Sequence, residues 1–326
     1  MSAESTGSDS TNSGSMSAGS RGAKPPGAVS AGARSSSAES SSADSSAAVP
    51  PAADSPGAEF SGAESPSTVF PGAEPSDALA TSTGDPWFVE AFRADYLQVY
   101  PHRDVESARR EVAWILDQGI AGRVLDLCCG FGRHTLAMRE RGVDVIGMDL
   151  SMDLLARARA LPRSELLAGR LVRGDARHLP FADGVFDGLA NLFSSFGYFG
   201  DDGDREVLDE IARVTKPGAT VVLDLMNPPR IRAGLVPASH TERDGIVLDE
   251  RRALEEGGRR VVKDVVLTRA DGAQRSWRES VRMYEQDEMS ALLGRRGFTV
   301  ERSAGDFDGS PLSASAPRQI LVARRP

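Results

Sequence analysis

In the central part of the chain, short apolar runs alternate with segments in which apolar residues recur every three or four positions. This pattern predicts strands separated by helices. Short apolar runs that suit buried strands occur at 124–127, 143–148, 171–172, 185–193 and 220–226. The segments between most of these runs carry apolar residues every three or four positions, as amphipathic helices do. Five strand-centred units in succession predict a mostly parallel sheet with right-handed crossovers.

The pattern changes after Pro228. Two hairpin signals, Gly257-Gly258 and Asp271-Gly272, separate three runs that alternate as strands do. We therefore expect residues 228–284 to form a small three-stranded antiparallel β insert. The insert either covers the ligand site as a lid or forms a dimer face, because an exposed antiparallel edge is a natural pairing surface.

The last part of the chain completes the predicted sheet. A helical pattern at 287–296 is followed by strand-like runs at 298–302 and 319–323. This order allows a doubly wound sheet to end in an antiparallel hairpin. The predicted fold class is α/β: a doubly wound, Rossmann-like, seven-stranded and mostly parallel sheet with a small antiparallel β insert.

The N-terminal quarter is a different kind of sequence. Residues 1–84 consist largely of Ser, Ala, Gly, Pro and Glu. With few branched apolar side chains, they have little to bury against the entropy cost of ordering. We predict a disordered N-terminal tail at 1–84 and one folded domain at 85–326. That domain opens at Asp85-Pro86, a helix N-cap followed by proline at the first helical position.

Aromatic residues recur every four positions at the start of the folded domain, at Phe88, Phe92, Tyr96 and Tyr100. That spacing places them on one face of a single predicted helix. Two interpretations stay open. The stripe packs on the core, or its C-terminal end closes over a ligand together with Arg103.

Charge and composition narrow the range of partners. The 326 residues carry a formal net charge of −9. Residues 1–85 hold ten acidic and three basic residues, which leaves roughly −2 for the folded domain. No basic block stands out, so we expect neither a nucleic acid nor a membrane as partner. Without a bilayer-spanning apolar run or a secretory signal, the protein is expected to be cytoplasmic, as a monomer or homodimer.

The candidate chemistry is concentrated in the loop after the first strand. The run Val124-Leu125-Asp126-Leu127-Cys128-Cys129-Gly130-Phe131-Gly132-Arg133 is typical of a strand, a tight loop and a helix start. Gly130 and Gly132 allow unusual backbone angles and the close approach of a ligand. The two cysteines are adjacent, so they offer neither a disulfide framework nor a metal-ligand spacing.

Polar residues stand at the ends of four predicted strands, where ligands bind in open α/β sheets. Asp149 lies about twenty residues beyond the glycine loop, from where a carboxylate can accept both hydroxyls of a ribose. The third glycine of the dinucleotide-binding fingerprint is replaced by Thr135, which argues against a nicotinamide cofactor. The four residues at strand ends are Asp126, Asp149, Asp175 and Asn191.

Together these segments resemble class I S-adenosylmethionine-dependent methyltransferases. The matching signature comprises 124–132, Gly147–Ser151, Gly174–Ala176, Pro180-Phe181 and Lys216–Ala219. The resemblance covers the predicted folded domain. It implies S-adenosyl-L-methionine as the cofactor and methyl transfer as the reaction.

The resemblance also implies roles for single residues in holding the cofactor. Gly130 and Gly132 frame its methionine end, and Asp149 holds the ribose hydroxyls. The other implied roles are Leu150 or Met152 near the adenine, Asp175 on the adenine amino group, Ala176 through its backbone, and Asn191 through its carbonyl at the methionine amino end. Asp126, from its place at a strand end, and Arg103, from the end of the aromatic stripe, are further predicted cofactor-binding residues.

The chain departs from the family pattern at Cys128, where a further glycine is usual. Cysteine is small, so we expect the turn to survive with less backbone freedom. We interpret Cys128 and Cys129 as small buried hydrophobic residues rather than as a redox switch.

Methyl transfer from a sulfonium requires mainly an aligned nucleophile and the exclusion of water. We expect the acceptor to bind beside the loop after the fourth strand and the loop 305–317. Tyr198 is the candidate catalytic residue, because its hydroxyl can orient a hydroxyl or amine acceptor. The predicted substrate-binding residues are Ser194, Phe196, Tyr198, Phe307 and, for an anionic group on the acceptor, Arg318.

We expect methyl transfer to an oxygen or nitrogen of a small-molecule acceptor. An RNA-modifying methyltransferase is an alternative, although RNA favours a basic surface. A non-catalytic nucleotide-binding module is a second alternative, and an NAD-dependent oxidoreductase is a third, since fold does not fix function.

Overall fold

The computed structural model describes residues 86–95, 99–100 and 104–326. The predicted tail at 1–84 lies outside these residues. The strands that they form, in chain order, are β1 Arg123–Leu127, β2 Asp144–Asp149, β3 Leu171–Arg173, β4 Phe186–Asn191, β5 Thr215–Leu225, β6 Ala238–Arg243, β7 Ile246–Glu255, β8 Arg260–Thr268, β9 Gln274–Arg282, β10 Thr299–Ala304 and β11 Gln319–Arg324.

Helices precede β1, follow β1, β2 and β4, and flank the strands of the insert, whereas β3 and β4 are joined by a loop. In the described part of the chain they are α1 Trp87–Ala91, α2 Val105–Asp117, α3 Arg133–Glu140, α4 Met152–Arg157, α5 Gly200–Val214, α6 Pro228–Gly234 and α7 Gln286–Gly294. Short 3-10 turns lie at Ala158–Ala160, Ser164–Leu167 and Glu256–Gly258. None of these helices has the length and apolar character needed to cross a membrane.

Seven strands form the main sheet in the order β10-β11-β5-β4-β1-β2-β3. The central strands are parallel, with Leu125 of β1 opposite both Ile146 of β2 and Leu189 of β4. At the other side β11 runs antiparallel between β5 and β10. The predicted doubly wound, seven-stranded and mostly parallel sheet with an antiparallel end is confirmed.

Helices cover both faces of this sheet, which is why its central strands are almost continuously apolar. Leu125 and the α5 residue Ile211 belong to one buried cluster, which also includes residues of α7. Val124 and the α2 residue Val112 belong to the buried cluster on the opposite face, together with residues of α3. The alternation of side chains along β1 thus anchors helices on both sides of the glycine loop.

The insert is a four-stranded antiparallel sheet in the order β6-β7-β8-β9, preceded by helix α6. The prediction of three strands is therefore wrong by one. Strand β6 escapes the pattern because nearly all of its residues are exposed and lack apolar alternation. Asp244-Gly245 joins β6 to β7, and φ values of 52° and 74° there suit a tight hairpin turn.

The predicted aromatic helix is shorter than its pattern suggests. Helix α1 ends at Ala91, and Phe92 has left the helical conformation with φ −93° and ψ 45°. Contacts with the start of α4 draw the backbone out of the helix: Ser151, the N-cap of α4, donates through Oγ to the Phe92 carbonyl, and Asp153 accepts from the Ala94 amide at 3.1 Å. The other predicted members of the stripe are Tyr96, which is not among the described residues, and Tyr100, which packs on the insert.

Candidate active site

A cavity of about 270 Å³ opens at the carboxyl ends of β1, β2, β3 and β4. This is the edge at which open α/β sheets bind ligands. The cavity extends from the ends of β2 and β3 across the glycine loop to the turn after β4. Its lining includes Asp126, Cys128, Cys129, Gly130, Phe131, Arg133, His134, Asp149, Leu150, Met152, Asp175, Ala176, Leu192, Phe193, Ser195, Tyr198 and Phe199.

The glycine loop curls around the end of β1 through three left-handed residues. Cys128, Gly130 and Gly132 have φ values of 60°, 59° and 79°. A Cβ atom at Gly130 would meet nothing closer than Leu154 Cδ1 at 3.9 Å, so the backbone is open to the cavity there. Gly132 is the N-cap of α3 and does not line the cavity.

Asp149 closes the loop from the neighbouring strand. Its Oδ2 accepts the Gly130 amide at 2.8 Å, and its Oδ1 accepts the Ser151 amide at 2.8 Å. Burial raises the pKa of this carboxyl, and the backbone amides oppose that rise. Each carboxylate oxygen has two lone pairs, so both can accept a further hydrogen bond from a ligand hydroxyl.

Asp175 stands at the far side of the cavity, after β3. The Arg177 guanidinium donates two hydrogen bonds to its carboxylate, from Nη2 to Oδ2 at 2.7 Å and from Nε to Oδ1 at 3.1 Å. These hydrogen bonds lower the pKa of Asp175, so the group is an anionic acceptor at neutral pH. Ala176, next to it, is buried in the cavity wall.

Asp126 forms the buried floor of the cavity at the end of β1. It is 1% exposed and accepts a hydrogen bond from Thr135 Oγ1 at 2.6 Å. Burial raises its pKa to about 7, although Thr135 and Arg133 favour the ionised form. The threonine that replaces the third fingerprint glycine thus serves to hold this carboxyl.

Two aromatic groups from distant parts of the sequence form one wall of the cavity. Phe88 and Phe92 come from the N-terminal segment, and Tyr198 and Phe199 from the loop after β4. Phe88 contacts Phe199 edge-on at 4.9 Å between ring centroids, and Phe92 stacks on Tyr198 at 5.8 Å. The N-terminal end of the aromatic stripe therefore lines the ligand site, whereas the second interpretation assigned that position to its C-terminal end. Of that end, Tyr100 packs on the insert, and Tyr96 and Arg103 lie outside the described residues.

Arg133 and His134 line the opposite end of the cavity, and both contact the carboxylate of Glu111. His134 Nε2 donates to Glu111, and Arg133 Nη1 lies 3.3 Å from the same carboxylate. Burial and the Arg133 charge lower the pKa of His134 to about 4, so its imidazole is neutral at pH 7. Arg133 is 4% exposed and remains charged.

The structure brings eight of the predicted site residues together around one cavity. They are Asp126, Gly130, Asp149, Leu150, Met152, Asp175, Ala176 and Tyr198. Arg103 lies outside the described residues. Asn191, Ser194 and Phe196 are buried just behind the wall; the Asn191 amide donates to the Leu127 carbonyl at 3.1 Å.

Phe307 and Arg318 do not reach the cavity, in contrast to the expectation for the loop 305–317. Phe307 packs edge-on against Trp114 of α2 at 5.8 Å. Arg318 is 2% exposed and donates to Asp224 at 2.7 Å. The reason is that the start of the loop packs on α2 through Phe307, and its end is held beside β5, where Asn227 donates to the Ser313 and Ala316 carbonyls at 2.9 and 2.7 Å.

The insert also stays away from the cavity, since none of its residues, which are all described, lines it. It contacts two segments that border the cavity. In the N-terminal segment, Asp95 pairs with Arg275 of β9 at 3.2 Å, and Tyr100 donates to Glu279 at 3.1 Å. In the loop after β4, the Gly197 carbonyl accepts the Arg282 amide at 2.8 Å, and Tyr198 packs against the apolar cluster of the insert. Its role in turnover stays a prediction.

Sequence reasoning placed His134 at a helix start near the cofactor, but it missed Arg133 and Phe193 as lining residues. Arg133 and His134 directly follow the glycine loop, and this proximity was the available signal. Phe193 had none, because it looks like the apolar end of a buried strand until its backbone turns.

These residues fit an S-adenosyl nucleoside. Carboxylates at the ends of β2 and β3 suit a ribose and an exocyclic amine, since both ligand groups are hydrogen-bond donors. The open backbone at Gly130 lets the ligand approach closely.

Comparison with known proteins agrees with this geometry. A family model for a methyltransferase domain matches residues 124–218. The chain is 33% identical over 201 residues to the demethylmenaquinone methyltransferase of Thermus thermophilus, a match that covers 60% of this chain and 83% of that protein. The chain belongs to the class I S-adenosylmethionine-dependent methyltransferases.

Solved structures show the same fold. An S-adenosylmethionine-dependent methyltransferase from Clostridium acetobutylicum superposes with a TM-score of 0.60 at 16% identity, over 71% of this chain and 95% of that one. An S-adenosylmethionine-bound amino pentose methyltransferase from Micromonospora echinaspora has a TM-score of 0.52 at 25% identity, over 71% of this chain and 96% of that one.

Proposed function

We propose that this protein binds S-adenosyl-L-methionine in the cavity at the carboxyl edge and transfers its methyl group to an oxygen or nitrogen of a small-molecule acceptor. The observation that carries the proposal is a pair of carboxylates that can accept hydrogen bonds from a ligand. They belong to Asp149 and Asp175, and they lie on either side of the cavity beside the glycine loop. When bound, the sulfonium supplies an activated methyl carbon.

The chain's own residues bind and orient the cofactor. Asp149 takes the ribose hydroxyls, Asp175 takes the adenine amino group, and Leu150 and Met152 flank the adenine. Asp126, with its raised pKa, supports the loop from below through Thr135. The remaining end of the cavity, at Arg133 and the turn after β4, takes the amino-acid part, because a cation there attracts its carboxylate.

The acceptor side is the aromatic wall. Phe88, Phe92, Tyr198 and Phe199 exclude water and offer flat apolar surface, which suits a small organic acceptor. Tyr198 is the candidate for orienting its hydroxyl or amine. A small acceptor is also supported by the nearly balanced charge of the folded domain, and by relatives that are named as methyltransferases of demethylmenaquinone and of an amino pentose.

The test uses S-adenosylmethionine with a deuterated methyl group. The purified protein is incubated with it and, separately, with a small-molecule extract or with RNA from the source cells. We expect the label in a small molecule, with a Tyr198→Phe variant slower. Label that enters only RNA would contradict the acceptor class, and no consumption of the cofactor in either extract would contradict the enzyme.

A further inference from the structure

The turn after β4 has an unusual backbone. Phe193 and Ser194 follow the strand directly, and both lie in the left-handed region, with φ values of 62° and 56°. Residues with a Cβ atom adopt this conformation rarely, and two in succession require support from the surrounding structure. Leu192, Phe193 and Ser195 line the cavity, so the conformation of this turn determines the shape of that part of the cavity wall.

A buried carboxylate on the neighbouring strand holds the backbone of the turn. Asp224 of β5 is fully buried. Its Oδ2 accepts the Phe193 amide at 2.7 Å, and its carbonyl accepts the Ser194 amide at 3.0 Å. The same Oδ2 accepts Nη1 of Arg318 at 2.7 Å, so the guanidinium compensates the charge of the carboxylate.

Two guanidinium groups hold the side chain of the turn. The Cζ of Arg133 lies 4.2 Å from the centroid of the Phe193 ring, and the Cζ of Arg318 lies 4.4 Å from it. Arg133 lines the cavity, whereas Arg318 does not. Arg318 therefore contacts the lining residue Phe193 from outside the cavity, and it reaches the backbone of the turn through Asp224.

The order of strands in the sheet indicates which part of the ligand lies beside the turn after β4. Strands β2 and β3, which carry Asp149 and Asp175, lie on one side of β1, and β4 lies on the other. If the adenosine binds at the two carboxylates, the turn after β4 faces the amino-acid end of the cofactor.

We propose that Arg318 is a positioning residue for that amino-acid end. It stacks on Phe193 and neutralises Asp224, and it thereby fixes the turn and Arg133 in the arrangement that the cofactor's amino-acid group requires. This inference rests on the proposed function, because it assigns one end of the same cofactor site.

Two nucleosides separate this role from a general effect on folding. S-adenosylhomocysteine carries the amino-acid group, and 5′-methylthioadenosine lacks it. Calorimetric titration of the full chain measures both affinities. Arg318→Lys keeps the positive charge beside Asp224 but loses the planar stack on Phe193, so this variant is expected to fold.

We expect Arg318→Lys to weaken S-adenosylhomocysteine binding roughly tenfold and to change 5′-methylthioadenosine binding by less than about twofold. Phe193→Leu, which keeps an apolar side chain without a ring face, should show the same selective loss. In the Phe193→Leu background, Arg318→Lys should cost nothing further, because Arg318 acts through that ring.

The control is Arg302→Lys. Arg302 stacks on Trp114 at 5.5 Å, an arginine–aromatic contact outside the cavity, so this variant should bind both nucleosides as the wild type does. Equal losses for both nucleosides, no loss for either, or the same cost of Arg318→Lys in both backgrounds would overturn the inference. Wild-type protein that binds neither nucleoside would overturn the proposed function as well.

Discussion

A single residue departs from the family pattern in the most constrained part of the site. Cys128 occupies a position where a glycine is usual, and it has a φ of 60°. Glycine adopts this conformation without a steric penalty, whereas a residue with a Cβ pays for it. Burial and the nearby carboxylate of Asp149 raise the pKa of the Cys128 thiol, so it is neutral and a poor nucleophile.

Replacing Cys128 by glycine should therefore stabilise the protein. We expect the free energy of unfolding of Cys128→Gly to rise by about 1 kcal/mol, the left-handed penalty less the extra entropy of an unfolded glycine. Urea denaturation followed by circular dichroism measures it. Cys128→Ala is the matched control, because it removes the thiol and keeps the Cβ; an equal gain for alanine would show that backbone strain is not the cause.

The buried His134 should make stability depend on pH. Its folded pKa of about 4 lies below the ordinary value of 6.5. The unfolded chain therefore takes up a proton first, and the folded state loses stability as the pH falls from about 6.5 towards 4. Between pH 7.5 and pH 5 this group alone should cost about 2 kcal/mol.

The measurement compares wild type with His134→Gln at both pH values by urea denaturation. The raised pKa values of Asp126 and Asp204 act in the opposite direction, but they are common to both proteins and cancel in the difference. Wild type should lose about 2 kcal/mol more than the variant. Parallel pH profiles would show that His134 is not buried in its neutral form.

At the scale of elements, the N-terminal segment is held over the cavity by the insert. Arg275 of β9 pairs with Asp95, donates to the Glu90 carbonyl and stacks on Trp277 at 5.1 Å. Cation–π stacking and ion pairing at a partly buried site each contribute on the order of 1 kcal/mol. The insert thus contributes to the site by fixing the segment that carries Phe88 and Phe92, in addition to its own contact with Tyr198.

Loosening this attachment should free the segment without unfolding the sheet. In Arg275→Met, amide hydrogen exchange in residues 87–95 should become roughly tenfold faster, while the strands of the main sheet keep their protection. Arg278→Met on the same strand is the control, because its side chain pairs with Glu255 and lies on the other face. Unchanged exchange in Arg275→Met would show that Arg275 does not order the segment, and would leave the Arg269–Asp95 pair at 2.6 Å as its attachment to the insert.

Most helices and strands could be predicted from the sequence, because buried parallel strands and amphipathic helices have different spacings of apolar residues. The errors have local causes. Strand β6 is exposed on a sheet edge and carries no apolar alternation. Helix α1 stops at Ala91 because tertiary hydrogen bonds to Ser151 and Asp153 outcompete its helical pattern.

The residues of the candidate site likewise fall into those that the sequence predicts and those that it does not. Residues fixed by strand ends and the glycine loop, such as Asp149 and Asp175, follow from chain order, since parallel strands end at one edge. Arg318 does not, because its position depends on how the loop 305–317 folds back. A charged residue near a predicted site looks like a ligand contact until a buried partner such as Asp224 is visible.

For the whole molecule, the sequence predicts that function resides in the folded domain. Deleting residues 1–84 should leave S-adenosylhomocysteine affinity and the cooperativity of unfolding unchanged, because that segment has few residues able to enter a core. Titration calorimetry and thermal denaturation of the truncated and full chains test this. A weaker affinity in the truncated chain would assign the N-terminal quarter a part in the site.

The central claim is that the cavity at the carboxyl edge holds S-adenosylmethionine with Asp149 on its ribose. Calorimetric titration of wild type, Asp149→Ala and Asp144→Ala tests it most directly. Asp144 begins the same strand at its opposite end and serves as the control. Removing the ribose contact should weaken binding roughly tenfold to a hundredfold, the equivalent of about 1.5–3 kcal/mol. Asp144→Ala should bind as wild type does, and NADH should show no saturable binding. Unchanged affinity in Asp149→Ala, or saturable binding of NADH, would contradict the account.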